Sequence, residues 1–212
     1  MEQLKIDFGY QNLNGNFISV GASYDYAALG PTHHCPGDVM LLQSIPNMEV
    51  IIPGNAIELD MLIKNNYNNG HPTYYRISET QHTQKIVTSL NKALIIRQGK
   101  DATLICYGDM LDFVLEATKD LDITVLYYTT IVPFDALTLN QNLNERVILI
   151  EQFYEGSTNY LINKALSGQK YSLFNIGLKH EFLDKGGTKK EMEKYVGLDS
   201  DSLRKKIILC MK

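Results

Sequence analysis

Seven short β-rich runs alternate with helical patterns along this chain: NFISVGA (16 to 22), MEVIIP (48 to 53), PTYYRIS (72 to 78), TLICYG (103 to 108), ITVLYYTT (123 to 130), RVILIEQ (146 to 152) and SLFNIG (172 to 177). That rhythm constrains the fold more than any other feature, because strands separated by helices make crossover connections and hence parallel α/β sheets. The intervening helices carry start and stop signals. Asn55 with Glu58 three residues later reads as a capping box, with Ile57, Met61 and Leu62 on one buried face. Asp109 reads as the cap of MLDFVLEATKDL, whose Met110, Val114, Ala117 and Leu121 share a stripe. Thr188 and Glu191 repeat the capping box, Gly197 supplies a stop, and a last helix over about 200 to 210 puts Leu203, Ile207 and Cys210 on one side. Between the runs at 72 and 103, ETQHTQKIVTSLNKALIIRQGKD reads as a connector of extended segments. The predicted architecture is two consecutive parallel-sheet α/β units, residues 1–90 and 91–212. The NNYNN stretch at 65 to 69 reads as a helix end turning at Gly70.

At 212 residues and a formal charge of -4, with neither sign gathered into a block, the chain is long enough for two modest cores and is a poor match for nucleic acid or a lipid surface. No apolar run approaches the roughly 18 residues that span a bilayer, and MEQLKIDFGYQN lacks the order of a secretion signal, so the expectation is a cytoplasmic protein. Cys35, Cys106 and Cys210 are odd in number and far apart; they are expected to be free thiols, Cys106 a small buried hydrophobe.

The stretch ALGPTHHCPGDV (28 to 39) concentrates reactive side chains. His34 beside Cys35 does not make a nucleophile with its base, because neighbouring side chains in an extended loop diverge. Nor can His33, His34 and Cys35, three consecutive residues, readily surround a tetrahedral ion. Gly30-Pro31 is more informative: Pro31 fixes its own φ and restricts Gly30, so Thr32 and His33 leave a stiff turn between a strand and the short helical stretch DVMLLQSI, where α/β proteins place ligand contacts.

In this context G-P-T-H, then S-I-P-N-M-E-V-I-I-P-G-N-A-I-E-L, then P-T-Y-Y-R-I-S, with Y-Q-N-L-N upstream, resembles the pyrimidine-binding domain of transketolases. G-K-D-A-T-L-I-C-Y-G-D, T-I-V-P-F-D, V-I-L-I-E-Q and K-K-E-M-E-K-Y-V-G-L-D resemble the transketolase C-terminal domain, shared with deoxyxylulose-phosphate synthases and the beta subunits of oxo-acid dehydrogenases. The resemblance runs in order over nearly the whole chain. It implies an enzyme family that uses thiamine diphosphate with magnesium, in sites formed between chains: a glutamate and aromatic residues of the pyrimidine-binding domain serve the aminopyrimidine, and a different domain holds the diphosphate and metal.

By that resemblance the chain starts midway through the pyrimidine-binding domain, with the glutamate and aromatic platform expected upstream of Met1. The G-D-G and distant N-N of the diphosphate and metal site are not matched either; Gly108-Asp109 precedes Met110, and Asn65-Asn66 come before it. No cofactor-binding, metal-binding or catalytic residue is therefore assigned, and the chain alone is expected neither to bind thiamine diphosphate well nor to catalyse. The resemblance does give His33 a role as a substrate-channel residue that hydrogen-bonds a sugar or reacting intermediate. The family's aspartate before G-P-T-H is Leu29 here, a second histidine falls on Gly21, and the arginine that takes substrate phosphate falls on Glu79. A carboxylate repels the group that an arginine fork would grip. Arg76, an odd step earlier on the strand, should face the other way.

Three functions fit: the C-terminal piece of a divided transketolase-like enzyme, performing two-carbon ketol transfer on a sugar-like molecule with a complementary N-terminal chain in a homo- or hetero-oligomer; a non-catalytic interaction module; or a relative of oxo-acid dehydrogenase beta chains. In the second unit Glu151, Glu155 and Asp184 are read as solvated positions, and YEGSTNYLINKALSG as a packing or dimer segment.

Overall fold

The computed structural model describes residues 1–212 and contains two sheets. The first has four strands in the order β1 (Gly15–Ser19), β3 (Pro72–Arg76), β2 (Glu49–Ile51) and β7 (Thr130–Val132). The second has five, ordered β4 (Leu94–Arg97), β6 (Ile123–Tyr128), β5 (Ala102–Tyr107), β8 (Arg146–Tyr154) and β9 (Ser172–Leu178). Helices α1 (Asp38–Leu42), α2 (Ala56–Asn66), α3 (Leu111–Ala117), α4 (Ala136–Gln141), α5 (Asn159–Ala165), α6 (Lys189–Val196) and α7 (Ser200–Cys210) connect or follow them.

All seven predicted strand regions form strands. The sheets are parallel except at one edge each, where β4 runs antiparallel to β6 and β7 antiparallel to β2. The run 123 to 130, predicted as one strand, is two. Its first part joins the second sheet as β6, and after Thr129 the chain crosses to the first sheet as β7, pairing Val50 with Val132 and Ile51 with Thr130. β4 lies within the predicted connector.

The central strands β5, β6 and β8 are near-continuous apolar runs because both of their faces are covered. Period-two alternation then sorts their side chains. Leu104, Cys106, Val125, Tyr127, Ile148 and Ile150 point into one core with residues of α3, α6 and α7. Ile105, Tyr107, Leu126, Tyr128, Val147 and Leu149 point into another, shared with Val39, Leu42, Met48, Val50 and Tyr74 of the first unit. The two units thus share a core. Cys106 is buried in the first of these cores, and burial pushes its thiol well up, as expected for a packing residue.

The capping box at Thr188 and Glu191, the left-handed Gly197 and the helix over 200–210 form as predicted. Two local readings are corrected. Asp109 does not cap a helix: a 3-10 turn, Gly108–Met110, intervenes, α3 starts at Leu111, and the Asp109 carboxylate turns into the protein to accept from Gln152 Nε2 at 2.6 Å. In α2, Ile57 is 61% exposed, while the buried face is Glu58, Leu62 and Asn66. A carboxylate takes the inward position because fixed donors await it there, as described below.

Candidate functional site

The segment bearing His33 is a closed loop. Ser23 O accepts from Cys35 N at 2.7 Å, and the two residues form an isolated antiparallel bridge that cinches the base. Inside it, Ala27–Thr32 makes 3-10 turns kinked at Gly30, whose φ of 72° and ψ of -162° lie in a region essentially reserved for glycine. A Cβ there would meet nothing within 4 Å, so the backbone dihedral rather than crowding selects glycine. Pro31 follows and fixes the next φ. The turn thereby presents His33 exposed, its Nδ1 2.9 Å from Thr32 Oγ1 and its ring edge-on to Tyr26 at 6.2 Å. Thr32 Oγ1 also donates to Leu29 O at 3.4 Å, which leaves it to accept from His33 Nδ1. In that tautomer Nε2 carries the free lone pair and can accept from a ligand hydroxyl.

The neighbours behave as the residue types predict. Leu29 is 55% exposed and offers an apolar surface beside the turn. Gly21 is buried at a φ of 81°. Burial, then Asp38, raises the Cys35 thiol, and no histidine hydrogen-bonds it; both ring nitrogens of His34 lack partners, and burial followed by the nearby His33 lowers its basicity. An unactivated thiol beside a poor base is not a nucleophile. Glu79 is exposed at the end of β3.

Arg76 faces inward, as the odd step along β3 requires, and is 1% exposed. Its Nε donates to Asp38 Oδ2 at 2.7 Å, Nη2 to Ser23 Oγ at 2.6 Å and Nη1 to Gln152 Oε1 at 3.4 Å, with the guanidinium 5.6 Å from the Phe153 ring. Tyr74 donates its hydroxyl to the same Asp38 oxygen at 2.7 Å, and Ser23 Oγ donates to Gln152 O. Burial opposes the charge on Arg76, and Asp38, with smaller help from Tyr74 and Asp109, more than offsets it, so the guanidinium stays ionised. This network underlies the His33 loop and ties it to β8.

A second buried cluster was not legible in the sequence, where Glu58 reads only as a capping partner. Glu58 N does donate to Asn55 Oδ1 at 2.9 Å, but the carboxylate bypasses Asn55 and accepts from Gly54 N at 2.7 Å. The same Oε2 accepts from Tyr127 OH at 2.7 Å, and Oε1 lies 3.1 Å from His82 Nε2. Gly54 must be glycine, since a Cβ would sit 2.4 Å from both His82 Cδ2 and the Tyr127 hydroxyl. Burial, and then Glu58, push the Tyr127 phenol well above its ordinary value, which keeps it a donor. Drawn from α2, the connector and β6, the three side chains are enclosed and fasten the two units together.

Glu151 is corrected as well. It is fully buried, not solvated, and accepts from Gly156 N, from Thr158 N at 2.9 Å and from Thr158 Oγ1 at 2.8 Å, organising the turn that leads into α5. Glu155 and Asp184 are exposed. Burial pushes Glu151 from 4.5 up to about 7 although these donors pull it down. A carboxyl raised in the folded state stabilises most below its unfolded value and loses that contribution as pH rises through the folded one. Wild-type stability should therefore fall by about 3 kcal/mol between pH 4.5 and 7 through this group. Glu151→Gln should flatten that slope in thermal melts; an unchanged slope would assign it elsewhere.

No group of three or more His, Cys, Asp or Glu is placed to hold a metal ion. Asp109 is buried and accepts from Gln152, and the Asn66 amide nitrogen donates to Leu62 O at 2.7 Å, so both are engaged within the fold. A cavity of about 520 Å³ lies between β9 and α7, away from His33. No helix is long and apolar enough to cross a membrane.

The family described as transketolase, pyrimidine binding domain, matches residues 1–84, and that described as transketolase, C-terminal domain, matches residues 91–203. An uncharacterized 33.6 kDa protein in the fasciation locus of Rhodococcoides fascians is 32% identical over 98% of this chain and 68% of its own length. One of the subunits of the apulose-4-phosphate transketolase of Phocaeicola vulgatus is 26% identical over 97% of this chain and 70% of its own. Among solved structures, a split gene transketolase described as an inactive beta4 tetramer superposes with a TM-score of 0.85 at 19% identity, covering 99% of this chain and 70% of that one. A transketolase from Campylobacter jejuni gives 0.73 at 18%, covering 91% and 31%.

Proposed function

Because the chain belongs to the transketolase family, we propose that it supplies the C-terminal section of a two-carbon ketol-transferring enzyme whose thiamine diphosphate and magnesium are held mainly by another polypeptide. The observation that carries this reading is His33, held exposed on the stiff Gly30-Pro31 turn with Nε2 free for a ligand, as a residue completing a site between chains would be. Similarity to a split gene transketolase and to one polypeptide of the apulose-4-phosphate enzyme supports a divided, oligomeric enzyme, for which we propose a cytoplasmic location. We further propose that the units divide near residue 90. Glu79 and the inward-facing Arg76 leave the end of β3 without a free cation from that strand, which favours an unphosphorylated, sugar-like acceptor.

The test mixes this chain with a complementary chain carrying the G-D-G motif, thiamine diphosphate and magnesium, and assays ketol transfer from phosphorylated and unphosphorylated donors. Turnover should require both chains; activity independent of this one would overturn the proposal. In the active mixture His33→Ala should lower kcat/KM by about 10²-fold through loss of the Nε2 acceptor for a ligand hydroxyl. Unchanged kinetics would remove the role of His33.

A second reading, a non-catalytic assembly module, is favoured by the exposed Leu29 where the family carries a sugar-binding carboxylate. Sedimentation separates the two: association without turnover for any donor supports the module, and failure to associate removes it.

A further inference from the structure

The loop carrying His33 is fastened by the second unit as much as by its own. Tyr24 and Ala27, at its root, are buried in the core that contains Met192 and Leu198. Ala27 O accepts from Gly187 N at 3.1 Å, and Pro36 O accepts from Tyr154 N at 3.1 Å. Two residues before Ala27 stands Asp25, whose side chain is fully enclosed. It accepts from Ser78 Oγ at 3.1 Å and Glu79 N at 2.9 Å, and it pairs with Lys189 Nζ. Lys189 Nζ also donates to Ser78 Oγ at 3.0 Å.

Within its own unit Lys189 has Asp109 and Glu193 as nearby attractive charges but no hydrogen-bond acceptor, and its place on the helix opposes a cation. It is the first residue of α6, directly after the cap Thr188, where the helix dipole presents positive charge. It is only 17% exposed, so its ammonium has given up much of its hydration. Glu191, the acidic residue of the same turn, is occupied with Thr188 N and Oγ1. Both hydrogen-bond acceptors of Lys189 belong to the first unit. Asp109 and Glu193 favour the cation from a distance, but the direct contact that fixes its place is with Asp25, and the constraint acts equally on Asp25.

We infer that Lys189 is a positioning residue for His33: through Asp25 and Ser78 it pins the root of the G-P-T-H turn to the second unit, so that His33 is aimed by the docking of the two units. The inference rests on the reading of His33 as a ligand-contacting residue, and the experiment separates the two claims. Cys35 is exposed two residues from His33 and serves as an internal reporter.

In Lys189→Met, amide hydrogen exchange over residues 27–35 and alkylation of Cys35 by iodoacetamide should each accelerate about tenfold, while exchange in β5 and β8 stays unchanged. In the mixed-chain assay kcat should fall about tenfold with donor KM nearly constant, because orientation rather than affinity is lost. Lys189→Arg, which keeps the charge, should restore all three readouts. Should the single variant fold poorly with Asp25 left buried and unpaired, the Asp25→Asn/Lys189→Met double variant removes that charge and should still release the loop. Unchanged exchange over 27–35 in the double variant would overturn the inference, as would an Arg variant no better than Met. If no mixture turns over, ketol transfer is refuted, while exchange and alkylation still decide whether Lys189 holds the turn.

Discussion

Arg76→Ala is expected to lower the unfolding free energy by about 3–5 kcal/mol, the range for deleting one partner of a buried ion pair. The reason lies less in what the guanidinium gains than in what its removal strands. Asp38 would keep one hydrogen bond, from Tyr74, on the oxygen it now shares with Arg76; its other oxygen, Oδ1, already lacks a partner. Ser23 Oγ and Gln152 Oε1 would lose donors, and Phe153 would lose the cation above its ring. An ionised carboxylate left so poorly paired in the interior destabilises the fold more than the pair ever stabilised it. The double variant Arg76→Met/Asp38→Asn, with no charge to strand, should recover at least half of the loss. Guanidinium unfolding monitored in both the far and near ultraviolet checks both values. A loss below 1 kcal/mol for the single variant would show that water replaces the guanidinium, and the network would not be the support of the His33 loop described above.

Glu58→Ala should lose a comparable amount, roughly 3–4 kcal/mol, by another route. Tyr127 OH and Gly54 N would each lose an acceptor and the site would gain a cavity, whereas His82 and Tyr127, 3.1 Å apart, can still bond to each other. Glu58→Gln keeps the volume and one carbonyl acceptor and should cost about 1 kcal/mol. The order of the two variants matters more than their size: equal losses would mean that the charge, not the hydrogen-bond count, holds the units together. Because the cluster spans α2, the connector and β6, Glu58→Ala should also expose residues 79 to 92 to limited proteolysis before global unfolding.

What could be seen in advance was whatever rests on local pattern. The apolar runs of β5, β6 and β8 announce a sheet covered on both faces, and the Thr188 and Glu191 capping box and Gly197 fix α6 because caps are satisfied within one turn. Chemistry carried by distant partners stayed hidden. Glu58, Asp109 and Glu151 are acidic side chains that any local reading sends to solvent or to a helix cap; the first two are buried because distant donors, Tyr127 and Gln152, meet them inside, and Glu151 because the turn after β8 folds its own donors back onto it. The break of the run 123 to 130 at Thr129 has no glycine or proline to mark it, since the change of sheet is dictated by the free edge of β2. At the candidate site the stiffness of the Gly30-Pro31 turn was legible, but its dependence on Asp25 and Lys189 was not, because those residues lie in different units.

The transfer of β7 to the first sheet sets an order on synthesis. As the chain leaves the ribosome, β2 emerges with one edge bare, and the strand that closes it lies beyond the connector and beyond β4, β5 and β6. A bare strand edge is a template for wrong pairing. A nascent chain stalled before residue 130 should therefore seek a chaperone or a foreign strand at β2, whereas one stalled after α4 has closed the first sheet and leaves only the β5 edge waiting for β8.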